Sequence, residues 1–166
     1  MQLYSVQCEA PGGGYGESAV LVYGESLRYI REVKYLDLIF DVWLGGDLVQ
    51  DVECYCVTAD LWDHLEANEV KGVSVREMTV TPGEHVNELH PGRIIPVFKE
   101  LVLPRGARGK QTIDGFRVEQ ASIPHADMFT GTGMPLIVTD RARQLMVNYG
   151  VREVEFTFAA VVESEV

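Results

Sequence analysis

The sequence predicts an α+β fold made of two similar strand-helix-strand lobes, with mixed or antiparallel sheets and few helices. Three observations carry this. Apolar residues alternate with polar ones at strand period in several segments. Helical periodicity is confined to two stretches, near 59–69 and 140–149. The order of strand, threonine, helix, glycine and strand occurs twice, as Val57-Thr58, helix, Lys71-Gly72-Val73 and as Val138-Thr139, helix, Tyr149-Gly150-Val151. With 166 residues, 46% hydrophobic and 23% charged, one compact domain over 1–166 is expected, holding pseudo-repeat lobes at 36–103 and 113–162.

Taken in order, Leu3 to Cys8 alternates as a short strand and breaks at Pro11-Gly12-Gly13-Gly14-Tyr15-Gly16, read as a flexible loop. Leu36 to Leu44 is β-branched and aromatic apart from Asp37 and Asp41, so a strand is expected, turning at Gly45-Gly46-Asp47. Val52 to Val57 gives a further strand. Thr58 is placed as a helix N-cap, with Asp60 in the first turn where the helix dipole favours a carboxylate. On the helix that follows, Leu61, Trp62 and Leu65 share one face, while Asp60, Asp63 and Glu66 face the other way. Gly72 is the expected C-cap, and Val73 to Val80 returns to strand. Thr81 to Arg93 reads as loop. Ile94 to Leu103 is an edge strand or irregular segment because of Pro96, and Ile113 to Ile123 is one long strand or a pair. Leu136 to Val138, the Thr139-capped helix and Val151 to Val161 complete the second unit, before a frayed tail at Glu163-Ser164-Glu165-Val166.

Charge is unevenly distributed. Residues 1–70 hold 3 basic and 13 acidic side chains, net −10, and the rest hold 11 and 12, net −1, out of −11 in all. Between Tyr35 and Val70 there is no Lys or Arg, yet nine carboxylates fall there. A field of that sign disfavours nucleic acid and anionic membrane as partners and speeds encounter with a basic protein. A solvated surface that only keeps the protein soluble is the plainer reading. No apolar run is long enough for a membrane helix, no secretory signal opens the chain, and three cysteines make no disulfide framework, so a cytoplasmic location is expected.

Cys54 and Cys56 share one strand face and Cys8 could join them, but the spacing suits no usual zinc site. His85 and His90, with Glu84 and Glu88, also match no metal pattern, and neither glycine-rich run, 11–16 nor 130–133, has the ending of a phosphate-binding loop. Asp37 and Asp41 would stand roughly 13 Å apart on a strand, too far to share a proton. No catalytic residue, metal or cofactor is therefore expected.

The runs Ile123-Pro124-His125-Ala126-Asp127-Met128-Phe129, Pro135-Leu136-Ile137-Val138-Thr139-Asp140-Arg141-Ala142 and Tyr149-Gly150-Val151-Arg152-Glu153-Val154-Glu155-Phe156 resemble a family of bacterial immunity proteins from polymorphic-toxin loci, long catalogued as a domain of unknown function. Cys56-Val57-Thr58-Ala59-Asp60-Leu61 and Lys71-Gly72-Val73 resemble the same element in the family's N-terminal half, so the likeness spans about residues 36–160. It implies a small protein that is not an enzyme and protects its producer by binding a cognate toxin domain. An acidic face suits a basic toxin, and Asp47, Asp51, Asp60, Asp63 and Glu66 are the candidate contacts. A small cytosolic enzyme with an unrecognised pocket, or a non-catalytic assembly subunit, are the competing classes.

Overall fold

A computed structural model describes residues 1–26 and 29–163; Ser164, Glu165 and Val166 of the expected frayed tail lie outside the described residues. Helix makes up 17% and strand 45%, an α+β fold with few helices. One sheet has the order β11 (Met128–Phe129), β12 (Leu136–Thr139), β1 (Leu3–Cys8), β13 (Val154–Val162), β10 (Gly115–Glu119), β9 (Gly109–Thr112). The other has the order β2 (Gly12–Tyr15), β4 (Ile30–Phe40), β7 (Ser74–Pro82), β8 (Phe98–Val102), β6 (Cys54–Thr58), β5 (Leu48–Asp51), with β3 (Val20–Tyr23) also on β4. Among the described residues there are three α-helices, α1 (Ala59–Ala67), α2 (Glu84–Leu89) and α3 (Asp140–Tyr149).

The two sheets repeat one plan. In the first lobe β6 leads through α1 into β7, and β8 lies between those two strands, antiparallel to both. In the second, β12 leads through α3 into β13, and β1 lies between them, antiparallel to both. A parallel strand then follows on the far side, β4 on β7 and β10 on β13. The lobes are related by a pseudo-twofold axis, which two contacts locate. Tyr55 Oη accepts from Leu136 N at 2.9 Å, and His64 Nε2 lies 3.0 Å from Leu145 O; each joins residues 81 positions apart, the offset between the lobes. A residue can meet its own counterpart only on the axis.

Local chemistry repeats with the same offset. Thr58 accepts from Leu61 N and Thr139 from Ala142 N, so both helices have the side-chain cap that their sequences predict. After each helix the chain turns through a left-handed residue, Glu69 (φ 57) and Gly150 (φ 85), and the following amide bonds back to the helix, Val70 to Leu65 O and Val151 to Met146 O, both at 3.1 Å. A second left-handed residue comes three positions later, Gly72 (φ 69) and Glu153 (φ 56). Gly72 is thus not the cap of α1: Asn68 is, followed by the left-handed Glu69, and Gly72 matches Glu153 rather than Gly150.

A central core fills the space between the sheets and under α1 and α3, with Tyr55, Val57, Leu61 and Leu65 opposed by Val6, Leu136, Val138 and Met146. The far face of the first sheet packs a second core around Leu36, Leu38, Phe40 and Phe98, closed by Trp43 and by Val86 of α2; the far face of the other sheet packs a third around Leu3, Phe116, Phe129 and Ile137. Phe98 meets Phe40 and Trp43 edge-on at 5.1 and 6.3 Å.

Several expectations change. Phe98–Val102 is an interior strand, because Pro96 ends before the ladder begins and no N–H is missed there. Gly12–Tyr15 is a strand on β4 rather than a flexible loop, with Gly13 seated against the Ile39 backbone where a Cβ would clash. Glu84–Leu89 is a helix within the expected 81–93 loop. Residues 113–123 hold β10 and a short 3-10 turn, and β10 makes a hairpin with β9. The lobes also reach beyond 36–103 and 113–162: β1 lies at the centre of the second sheet, and β2 and β3 extend the first.

Candidate functional site

α1 and α3 lie against each other across the axis. Leu61, Trp62 and Leu65 are the buried face of α1, and Ala142 and Met146 that of α3. Asp60, Asp63 and Glu66 are exposed on α1, and none forms an ion pair among the described residues. Their counterparts on α3, at the 81-residue offset, are Arg141, Gln144 and Val147, which are also exposed. Two helices with the same cap and with buried residues at matching places, Leu61 with Ala142 and Leu65 with Met146, therefore present different outer surfaces, one anionic and the other without a net negative stripe. The negative field extends inward: the Tyr149 phenol, pushed up chiefly by burial, is raised further by the charges of Asp47 and Asp60.

Asp47 does not belong to this surface. It is 1% exposed, and its carboxylate accepts from Arg152 N, Nε and Nη2 at 2.9, 3.0 and 2.8 Å and from the Thr58 hydroxyl at 3.4 Å. Asp127, its counterpart, is also buried and accepts from Lys71 N at 2.8 Å, Arg141 Nη1 at 2.6 Å and the Thr139 hydroxyl at 2.9 Å. Lys71 and Arg152 are themselves counterparts, so each lobe's aspartate fastens the turn after the other lobe's helix. Both carboxylates serve the fold, since a charge so buried needs its partners.

Asp51 is half-buried. It accepts from Gly14 N at 3.1 Å and Val52 N at 2.8 Å, tying β2 to the β5–β6 turn. Of the five candidate contacts, the structure brings Asp60, Asp63 and Glu66 onto one exposed face and places Asp47 and Asp51 elsewhere.

The acidic stretch is also less bare than its sequence. Arg152 and His85 come from outside it to Asp47 and Asp41, and Asp37 is buried beneath the β2–β3 turn, accepting from Ser18 N and the Thr81 hydroxyl, both at 2.9 Å. Asp37 and Asp41 thus serve separate contacts. His85 lies on the short α2, its ring nitrogen 3.0 Å from Asp41, and that hydrogen bond raises its pKa.

The three thiols do not converge. Cys54 and Cys56 are buried in the second core and Cys8 packs on the central one, across the sheet. Burial pushes Cys8 up to about 12 and Cys54 up to about 11, so they behave as small apolar residues. No group of three His, Cys, Asp or Glu side chains able to hold a metal occurs among the described residues. No helix among them is long and apolar enough to cross a membrane.

The residues that sequence reasoning missed are the cations, Arg141 and Arg152. The available signal was the repeat itself, since Asp47-Leu48 and Asp127-Met128 each precede a short strand ahead of the capped helix. Comparison with protein-family models and with curated protein sequences returns no match.

Proposed function

We propose that this protein is an immunity protein, which neutralises a cognate bacterial toxin domain by binding it through the exposed face of α1. The observation that supports this reading is the contrast between the two helices. α3 holds the same fold with Arg141, Gln144 and Val147, so the fold does not require Asp60, Asp63 and Glu66 at the matching places. Charges that stability does not need, left unpaired and on one face, suit recognition of a cationic surface. Blocking by binding needs shape and charge and no reactive group of this chain's own.

The test replaces the α1 residues by those of α3, Asp60→Arg, Asp63→Gln and Glu66→Val, in one variant. The partner is a basic toxin-like domain encoded next to this chain's gene. Association of the two purified proteins is followed at low and at high salt. The variant is expected to keep its circular-dichroism spectrum and to associate at least about tenfold more slowly at low salt, the difference shrinking near 1 M, where the Debye length is about 3 Å. A well-folded variant that associates at the wild-type rate would move the interface off α1.

A further inference from the structure

The pseudo-twofold axis passes Tyr55, and beside Tyr55 an open cleft of about 460 Å³ lies between the lobes. It exists because the lobes differ there. β5 joins β6 through residues 52–53 alone, whereas the counterpart connection from β11 to β12 runs over 130–135 and walls one side of the space. Gln50, Glu53 and Tyr55 line it from the first lobe, with Arg105 from the segment after β8.

Several hydrogen-bond donors line this space, beside the Glu53 carboxylate. The 130–135 connection is a tight turn, closed by Met134 N donating to Gly131 O at 3.1 Å, with Gly133 in the left-handed region (φ 67). In that turn the amides of Thr132 and Gly133 donate to no acceptor among the described residues. Arg105 donates through one Nη2 bond to Glu53 O at 3.1 Å, which leaves the rest of its exposed fork available. The Tyr55 oxygen accepts from Leu136 N and its O–H donates to no acceptor among those residues, and burial, which raises the phenol to about 12, keeps that proton in place. The Gln50 side-chain amide makes no hydrogen bond among them either, while its backbone N–H donates to Glu9 O at 2.9 Å. Backbone amides, a phenol, an amide and a guanidinium around one space need an acceptor-rich guest, and a phosphate offers three terminal oxygens to several donors at once.

We infer that the inter-lobe cleft binds the phosphate group of a small phosphomonoester, with Arg105 as the charged anchor and the Thr132-Gly133 amides and Tyr55 as neutral donors. Glu53, exposed on the same wall, favours a guest that carries hydroxyl or amine donors beside its phosphate. It also disfavours a polyanion such as nucleic acid.

The test is a titration of isotope-labelled protein with inorganic phosphate and with glycerol 3-phosphate, read at the backbone amides of Gly131, Thr132 and Gly133, with glycerol as the uncharged control. Both anions are expected to shift those amides saturably with dissociation constants on the order of millimolar, and glycerol is not. Arg105→Gln, at an exposed position, should weaken both by about tenfold, as loss of a charge-assisted contact does. Arg108→Gln, which removes an exposed cation outside the cleft lining, should leave both unchanged. Shifts that do not saturate, that glycerol reproduces, or that persist undiminished in Arg105→Gln would overturn the site.

Discussion

The two lobes of this molecule are built on one plan and differ where the plan does not constrain them. What they share is buried or capping: Thr58 and Thr139, Asp47 and Asp127, and the opposed core pairs Tyr55 with Leu136 and Leu65 with Met146. What they do not share lies outside. Glu77 and Lys99, cross-strand partners in the first sheet, form an ion pair; at the matching place in the second, Phe158 and Tyr4 meet edge-on at 6.1 Å. Trp62 is buried on α1, while its counterpart Arg143 lies with its guanidinium 4.6 Å from the Tyr4 ring. Cross-strand positions tolerate an ionic or an aromatic pair at similar benefit, on the order of 0.2–1 kcal/mol, so the solution in each lobe is free to drift. The lesson is that burial and capping preserve the repeat, and the exposed faces have specialised.

The crossed aspartates give the largest test of that equivalence. Removing one buried acceptor leaves several part-buried donors without it and breaks an ion pair, so Asp47→Ala and Asp127→Ala should each cost about 2 kcal/mol in urea denaturation. A cost near zero for one of them would mean that only one lobe depends on its neighbour. The left-handed residues come next. Gly150→Ala should destabilise by about 1 kcal/mol, whereas Glu69→Gly, giving α1 the residue its counterpart has, should stabilise by up to about 1 kcal/mol. Equal effects of the same sign would place the two turns in different conformations in solution.

The smallest effect concerns α2, which has no counterpart among the described residues of the second lobe. The Asp41 contact raises the His85 pKa above its usual 6.5, so that contact adds stability below the unfolded value and loses it as pH rises through the folded one. The melting temperature of wild type should slightly exceed that of His85→Ala at pH 5, and the difference should vanish by pH 8. A difference that grew with pH would contradict the sign.

The sequence carried much of this and missed the rest for physical reasons. Both threonine caps, Gly150 and the acidic face of α1 follow from local rules acting within one helix, and these are the features that sequence displays directly. Asp47 looked like surface because its partner, Arg152, is 105 positions away and only the tertiary fold brings it near. Gly72 resembled a C-cap because a glycine after a helix usually is one; the αL place went to Glu69 instead, at a steric cost that the following Val70 amide bond helps offset. α2 escaped because only Val86 of its six residues is buried, too few to show a period. The cleft beside Tyr55 was invisible because two loops from different lobes form it.

The position of β1 has a consequence for how the chain reaches this structure. The strand sits between β12 and β13, and Ser5 donates to Thr157 O across 152 positions. The strands of the first sheet all come from residues 12–102, but the second sheet has no middle until distant parts of the chain meet. Closing so long a loop costs more entropy than any pairing within the first lobe, and such topologies fold slowly. During synthesis the Leu3–Cys8 segment emerges before both of its partner strands and waits unpaired, an edge open to wrong partners until they arrive.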